Sequence, residues 1–168
     1  MATVHTATHQ FWAQYIRWSV TSIEAKFGRY VFLKKLAIGG MAEIFLAQRV
    51  SFGGFARFVV VKRLLPEHRG ENVYERLFLE EARIAASLEH PNIISVYDLG
   101  KIDDAYFMVM EYVHGISGAE FLTRSVHKNG SVTLAAALKV MRDVADALEH
   151  GHSTLGVDNH PMGVIHHD

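Results

Sequence analysis

The sequence has 168 residues, of which 49% are hydrophobic and 21% charged, and its formal net charge is −1. This composition is typical of a globular domain with a core, and the near-neutral charge argues against nucleic acid or anionic lipid as a partner. The sequence contains no cysteine, which excludes disulfides and thiolate metal sites, and no apolar run of membrane-spanning length. The N-terminus lacks the features of a signal peptide. We therefore expect a soluble, cytoplasmic protein.

Residues 1–26 differ in pattern from the rest of the chain. Five large apolar residues there would line one side of a short amphipathic helix: Phe11, Trp12, Tyr15, Ile16 and Trp18. One interpretation is a docking or membrane-surface segment. The interpretation that we favour is an upstream extension with little structure, or a start codon assigned too early.

The pattern from residue 27 to residue 112 predicts five strands and one helix. The predicted strands are 30–36, 43–49, 57–65, 93–99 and 106–112, and the predicted helix is 73–88. Glycine-containing turns separate the first three strands, and Pro91 follows the helix. Three strands, a helix and two further strands indicate an α+β fold with a mostly antiparallel five-stranded sheet.

The predicted helix carries a carboxylate on its apolar side. At about 100° per residue, Glu81 lies near the centre of a stripe formed by Tyr74, Leu77, Phe78, Ile84, Ala85 and Leu88. A buried carboxylate must be paired, because an unpaired buried charge costs several kcal/mol. Lys62, at the end of the strand Phe58-Val59-Val60-Val61, is the natural partner. The alternative is that Glu81 lies at a loose margin between helix and sheet and reaches water.

The character of the sequence changes near Val113. Residues 113–118 form a linker with two glycines, and 120–127 is predicted as a short helix. A longer helix follows, capped by Ser131 or Thr133 and ended by Gly151 and Gly156. Its apolar stripe consists of Leu134, Leu138, Met141, Ala145 and Leu148. We therefore divide the chain into an extension (1–26), a first unit (27–112) and a second unit (113–168).

Four segments, standing in the order of a known family, carry a resemblance. Leu36-Ala37-Ile38-Gly39-Gly40-Met41-Ala42-Glu43-Ile44 resembles the glycine-rich loop of protein kinases, with alanine at the first and third glycine positions. Val59-Val60-Val61-Lys62 resembles the Val-Ala-Ile-Lys strand. Met108-Val109-Met110-Glu111-Tyr112-Val113 resembles the last small-lobe strand and the hinge, and His166-His167-Asp168 resembles the start of the His-Arg-Asp loop.

The chain from about residue 27 to residue 168 thus resembles the N-terminal part of a bacterial serine/threonine protein kinase. The resemblance implies a kinase small lobe followed by the first helices of the large lobe. It implies ATP and Mg²⁺ as cofactors and a protein as substrate. The implied catalytic residues are Lys62, Glu81 and Asp168. The implied nucleotide-binding residues are Ala37, Ile38, Gly39, Gly40, Ala42, Ile44, Val60, Lys62, the gatekeeper Met110, Glu111 and Val113.

Other motifs of the family are absent from the 168 residues. The 168 residues contain no catalytic-loop asparagine after Asp168, no Asp-Phe-Gly and no Ala-Pro-Glu, so both family magnesium ligands are missing from them. His167 replaces the family's arginine, which often pairs with an activation-loop phosphate. We therefore expect this chain alone to have no meaningful kinase activity. We also expect the stripe of the longer helix to lie exposed and to favour self-association.

Three other functions remain open at this stage. The chain could be a non-catalytic nucleotide-binding module or a protein-interaction fragment that binds nothing small. A zinc site among the C-terminal histidines His150, His152, His160, His166 and His167 is the weakest hypothesis. No ligand spacing with a carboxylate supports it.

Overall fold

The computed structural model describes residues 25–127, 130, 132–155 and 164. The prediction of an extension over residues 1–26 lies almost entirely outside the described residues. Six strands and three helices are present in the described part of the chain. The strands are β1 (Ala25–Phe27), β2 (Tyr30–Ile38), β3 (Ala42–Val50), β4 (Ala56–Leu64), β5 (Val96–Ile102) and β6 (Ala105–Glu111). The helices are α1 (Asn72–Ser87), α2 (Gly118–His127) and α3 (Leu134–Ser153), and Pro66–His68 forms one 3₁₀ turn.

All six strands belong to one antiparallel sheet in the order β1-β2-β3-β4-β6-β5. The α+β fold is therefore confirmed, with one strand more than the sequence predicted. The additional strand is β1, which pairs with β2 from Ala25 opposite Phe32 to Phe27 opposite Tyr30. Three residues are too few to show the alternation that identifies a strand in a sequence.

The predicted strand 93–99 begins three residues too early and ends three too early. The structure places β5 at Val96–Ile102, joined to β6 by a two-residue turn at Asp103 and Asp104, which both have positive φ. Two such residues make the tight turn whose twist matches a hairpin. Gly100 lies inside the strand, and a Cβ there would lie 2.8 Å from the Phe107 ring. Here glycine marks a close approach within the sheet.

The two faces of the sheet bury different sets of side chains. The face that packs on α1 contributes Ala42, Leu64 and Met108 to a cluster with Phe78 and Ala82 of the helix. The opposite, outer face carries an aromatic cluster. Its members are Phe27, Tyr30, Phe32, Phe45 and Phe107, together with Ala47, Val59, Val61 and Val109. The rings of Phe32 and Phe45 stack with centroids 4.4 Å apart.

A hydrogen bond across the outer face links β2 to β5, which are not neighbours in the sheet. Tyr30 is 1% exposed, and its hydroxyl donates to Asp98 Oδ2 over 2.8 Å. Burial, together with the bond to Asp98, raises the pKa of Tyr30. Arg29 also pairs with Asp98. The sheet must curl for these two strands to meet, and the bond satisfies the buried hydroxyl.

A buried carboxylate lies beside the aromatic cluster. Glu43 of β3 is 4% exposed, and its carboxylate accepts from Arg63 Nε at 2.9 Å and contacts Lys35 Nζ at 2.7 Å. The Arg63 guanidinium also lies over the rings of three phenylalanines. Burial alone would raise the pKa of Glu43, but the hydrogen bonds from Lys35 and Arg63 outweigh it, and the pKa lies below its usual range.

Two helices, α2 and α3, follow β6. The side chain of Thr133 caps α3 by accepting from the Ala136 N–H at 3.2 Å, as one of the two predicted caps. The helix continues through Gly151 and ends at Ser153, between the two glycines that were predicted to mark its end. The Thr154 N–H and hydroxyl both donate to the His150 carbonyl, which ends the helix without a glycine. Gly156 lies outside the described residues.

We predict that Glu43→Gln lowers the free energy of unfolding by about 1–3 kcal/mol at pH 7, because the charged partners lose their carboxylate. A lowered pKa stabilises the fold above the unfolded-state pKa of about 4.3, and this stabilisation disappears as pH falls through the folded-state pKa. Urea unfolding should therefore show a smaller difference in the free energy of unfolding between wild type and Glu43→Gln at pH 3 than at pH 7. Glu89→Gln, at an exposed position, is the control. An equal loss at both pH values would contradict the prediction.

Candidate functional site

The β2–β3 connection is a short loop with Gly39, Gly40 and Met41 at its tip. The Gly39 N–H donates to the Ala42 carbonyl over 2.8 Å. Among the described glycines, only Gly28, Gly53 and Gly70 have positive φ, so neither loop glycine requires that conformation. A Cβ on Gly40 would meet nothing within 4 Å. The loop tip therefore leaves open space beside its backbone.

The two alanines at the first and third glycine positions of the loop are unstrained. Neither Ala37 nor Ala42 has positive φ. Ala37 is exposed and lies opposite Ile44 in the β2–β3 ladder, while Ala42 is buried in the cluster between sheet and helix. Alanine is therefore compatible with this backbone, and the Ala42 methyl adds to the core beneath the loop.

Lys62 and Glu81 form an ion pair between β4 and α1. In the ladder Lys62 lies opposite Ile44 on one side and Met108 on the other, which places it on the same face as the helix. Its side chain is 18% exposed and that of Glu81 is 44% exposed. The pair lies at the margin of the contact between sheet and helix, where opposite charges attract but water still screens them.

Glu81 lies at the margin between helix and sheet, as in the alternative that the sequence left open, and it is also paired with Lys62. The buried residues of α1 are Phe78 and Ala82, with Tyr74 and Ala85 packed beside them. The centre of the packed stripe therefore lies one residue away from its predicted position, and Glu81 lies at the rim of the stripe rather than near its centre. Leu77 is exposed, so hydrophobicity alone misplaced the stripe.

Apolar side chains lie farther along the same face of the sheet. Val60 of β4 is opposite Leu46 of β3 and Met110 of β6, and all three are partly buried. Ile44, also partly buried, lies one step nearer the loop. Together they form an apolar surface beside the Lys62 ammonium, the combination that small-molecule sites use.

The chain leaves the sheet at Glu111. Its backbone N–H donates to the Ser95 carbonyl over 2.9 Å, which anchors the end of β6. From Tyr112 to His114 the backbone has no regular secondary structure, and Val113 is 59% exposed. The segment after β6 therefore presents accessible backbone at the edge of the apolar surface.

The third predicted catalytic residue, Asp168, lies outside the described residues, as do His160, His166 and His167. In the part of the chain that the structure describes, no group of three or more His, Cys, Asp or Glu residues could hold a metal. No helix there is both long and apolar enough to cross a bilayer.

The sequence reading missed two residues next to the loop. Glu43 follows Ala42 directly and bridges to β2 and β4, and His68 contacts the carbonyl of Gly40. A glutamate on a strand beside two basic residues on neighbouring strands was the available signal for Glu43. No sequence pattern indicated His68, because its contact depends on how the 3₁₀ turn folds against the loop.

Comparison with known proteins identifies the family of this chain. The family described as protein kinase domain matches residues 30–168. Tyrosine-protein kinase MasK of Myxococcus xanthus is 39% identical over 142 residues, which cover 84% of this chain and 22% of MasK. Serine/threonine-protein kinase PrkC of Bacillus subtilis is 40% identical over 125 residues, covering 74% of this chain and 18% of PrkC.

Solved structures show the same fold. A crystal structure of the Mycobacterium tuberculosis PknI kinase domain matches with a TM-score of 0.58 and 27% identity, covering 78% of this chain and 51% of that one. The chain thus spans about a fifth of the length of these two curated relatives and about half of that solved domain. With a family match over most of its residues, the chain belongs to the protein kinase family.

Proposed function

We propose that this chain supplies the nucleotide-binding part of a protein kinase that transfers the γ-phosphoryl group of ATP to serine or threonine hydroxyls of a cytoplasmic protein substrate. The observation that carries the proposal is the Lys62–Glu81 ion pair, which lies on the same face of the sheet as Ile44 of β3 and the apolar surface. PrkC is named a serine/threonine kinase, whereas MasK is named a tyrosine kinase. The hydroxyl preference therefore needs its own test.

The described residues fit a nucleotide. Lys62 would place a positive charge against the α- and β-phosphates, and Glu81 would hold its ammonium in position. The loop backbone from residue 37 to residue 42 would cover the phosphates, since no side chain fills the space beside Gly40. The Gly39 N–H already donates to the Ala42 carbonyl, so the N–H groups nearer the tip would face the phosphates. Phosphate binding by backbone amides requires close approach, which the small side chains of this loop allow.

The adenine would lie against the apolar surface. Val60 and Met110 would contact the base, with Met110, near the end of β6, as the gatekeeper. The backbone of Glu111 and Val113 would hydrogen-bond its edge, because the chain there turns away from the ladder. A flat base in this position would be buried against the apolar face of the sheet. Its edge would still be recognised by hydrogen bonds from the backbone of the irregular segment.

Asp168 would accept or orient the proton of the substrate hydroxyl. Magnesium supplies charge stabilisation in phosphoryl transfer, but the described residues hold no cluster that fits a metal ion, and the 168 residues include no Asp-Phe-Gly. We propose that the isolated chain binds nucleotide without catalysing transfer. A non-catalytic nucleotide-binding module is the alternative function for the same residues.

We predict that ATP raises the melting temperature of the purified chain and that Lys62→Ala removes most of this effect. At a ligand concentration 100 times the dissociation constant, binding stabilises a protein by about 2.7 kcal/mol. The loss of the phosphate-facing charge should weaken binding about 10-fold or more. The matched control is Lys26→Ala, an exposed lysine of β1. Thermal shift and calorimetry give the measurement, and equal ATP effects in both variants would overturn the proposed site.

We predict that the 168-residue chain with ATP and Mg²⁺ transfers no radiolabelled phosphate to itself or to a general acceptor protein above the rate of Lys62→Ala. The missing metal ligands leave the transferring charge uncompensated, which removes a large share of catalysis. Transfer at an ordinary kinase rate of about 1–100 s⁻¹ would show that the isolated chain is catalytic. Phosphoamino acid analysis of the product would then decide between serine/threonine and tyrosine.

A further inference from the structure

His68 lies in a rigid turn between β4 and α1. Pro66–His68 forms one 3₁₀ turn, with Pro66 in its first turn, where proline's fixed φ is favourable. The His68 N–H donates to the Leu65 carbonyl at 3.1 Å, and the Glu71 N–H donates to the His68 carbonyl at 3.3 Å. Gly70 follows with φ of +79°, a conformation that favours glycine. The backbone thus fixes where the His68 ring lies.

The His68 ring reaches the tip of the glycine-rich loop. Its Nε2 lies 2.9 Å from the Gly40 carbonyl oxygen. A carbonyl only accepts, so Nε2 carries the proton and donates. Nδ1 is buried, has no hydrogen-bond partner among the described residues and lies 3.9 Å from Glu71 Oε1. The donor at Nε2 is present in both the neutral tautomer protonated there and the imidazolium.

The same ring packs on the helix that carries Glu81. The rings of His68 and Tyr74 stack with centroids 3.7 Å apart and planes 20° apart. Tyr74 in turn packs against the core cluster between sheet and helix. Tyr74 and Glu81 are seven residues apart, two turns along α1, and therefore lie on nearby faces of one rigid element.

A second bond fastens the loop beside His68. The Leu65 N–H donates to the Met41 carbonyl over 3.0 Å, and Leu65 is buried. The carbonyls of two successive loop residues, Gly40 and Met41, are thus both held by the segment that joins β4 to α1. The N–H groups that share these two peptide units belong to Met41 and Ala42, and they point away from the held carbonyls because the C=O and N–H of a trans peptide lie on opposite sides.

We propose that His68 is a positioning residue that fastens the tip of the glycine-rich loop to α1 and so pre-orders the loop for the phosphates of a nucleotide. Fixing the Gly40 carbonyl also fixes the direction of the following Met41 N–H, because the peptide unit is planar. A loop ordered before binding loses less conformational entropy on binding. The ring also couples the loop to the element that carries Glu81. The effect on nucleotides rests on the proposed function, whereas the fastening does not.

The first test uses the nucleotide-free chain. His68→Phe keeps a ring to stack on Tyr74 and removes the donor, whereas His68→Gln places an amide N–H close to the original Nε2 position. Amide hydrogen exchange should accelerate about 3- to 10-fold at Gly39 and Leu65 in His68→Phe. His68→Gln should stay within about twofold of the wild type. Glu67→Ala, an exposed change in the same turn, is the control.

The second test measures the dissociation constants of ATP and ADP by calorimetry. His68→Phe should weaken both about 3- to 10-fold, and His68→Gln should restore most of the affinity. If His68 acted only in folding, His68→Phe would change the melting temperature, and His68→Gln would not restore nucleotide affinity. Unchanged or tighter nucleotide binding by His68→Phe would overturn the proposed pre-ordering.

The two tests separate the inference from the proposed function. If the wild-type chain binds no nucleotide, the proposed function fails, but the exchange rates at Gly39 and Leu65 still decide whether His68 fastens the loop. If the wild type binds and His68→Phe leaves exchange unchanged, the positioning role is wrong while nucleotide binding stands. Equal acceleration in His68→Phe and His68→Gln would also overturn the role of the donor.

Discussion

The register of β4 against its two neighbours is the constraint on which the rest of this structure depends. Side chains of a strand alternate between faces, so Lys62 points toward α1 and Arg63 toward the aromatic cluster. A slip of one residue would exchange them, placing the ammonium among phenylalanine rings and the guanidinium opposite Glu81. The buried Glu43, paired with Arg63 and Lys35, opposes that slip, because its charge would lose its partners. A charge network on one face thus keeps the candidate catalytic lysine on the other.

The loop shows how the fold accommodates a departure from the family pattern. Alanine at positions 37 and 42 is tolerated because neither residue has positive φ. The Ala42 methyl is used in the core, where it packs with Leu64 and Phe78. The tip is then held by bonds to carbonyls, from Leu65 to Met41 and from His68 to Gly40. The β4–α1 connection thus restrains the loop tip, and the two alanines give this loop less conformational freedom than three glycines would.

Much of the fold and part of the candidate site could be predicted from the sequence. The hydrophobic pattern located five of the six strands and α1, and the strand ending in Lys62 with the helix carrying Glu81 predicted their contact. Local pattern failed where contacts between distant residues decide the outcome. β5 runs through Gly100, where the Phe107 ring leaves no room for a Cβ, and α3 runs through Gly151 to Ser153. The stripe of α1 was misplaced by one residue because Leu77 is apolar yet exposed.

The sequence by itself determined the order of elements, the kinase resemblance and the identity of the charged pair, because periodicity and motif order are properties of the chain. Only the tertiary structure decided that Glu81 lies at the rim of the packed face, that Glu43 is buried between two cations, and that His68 reaches the loop. These three depend on the curl of the sheet and on the angle at which α1 packs against it. Both are set by the total packing of distant side chains, to which no single stretch of sequence is a guide.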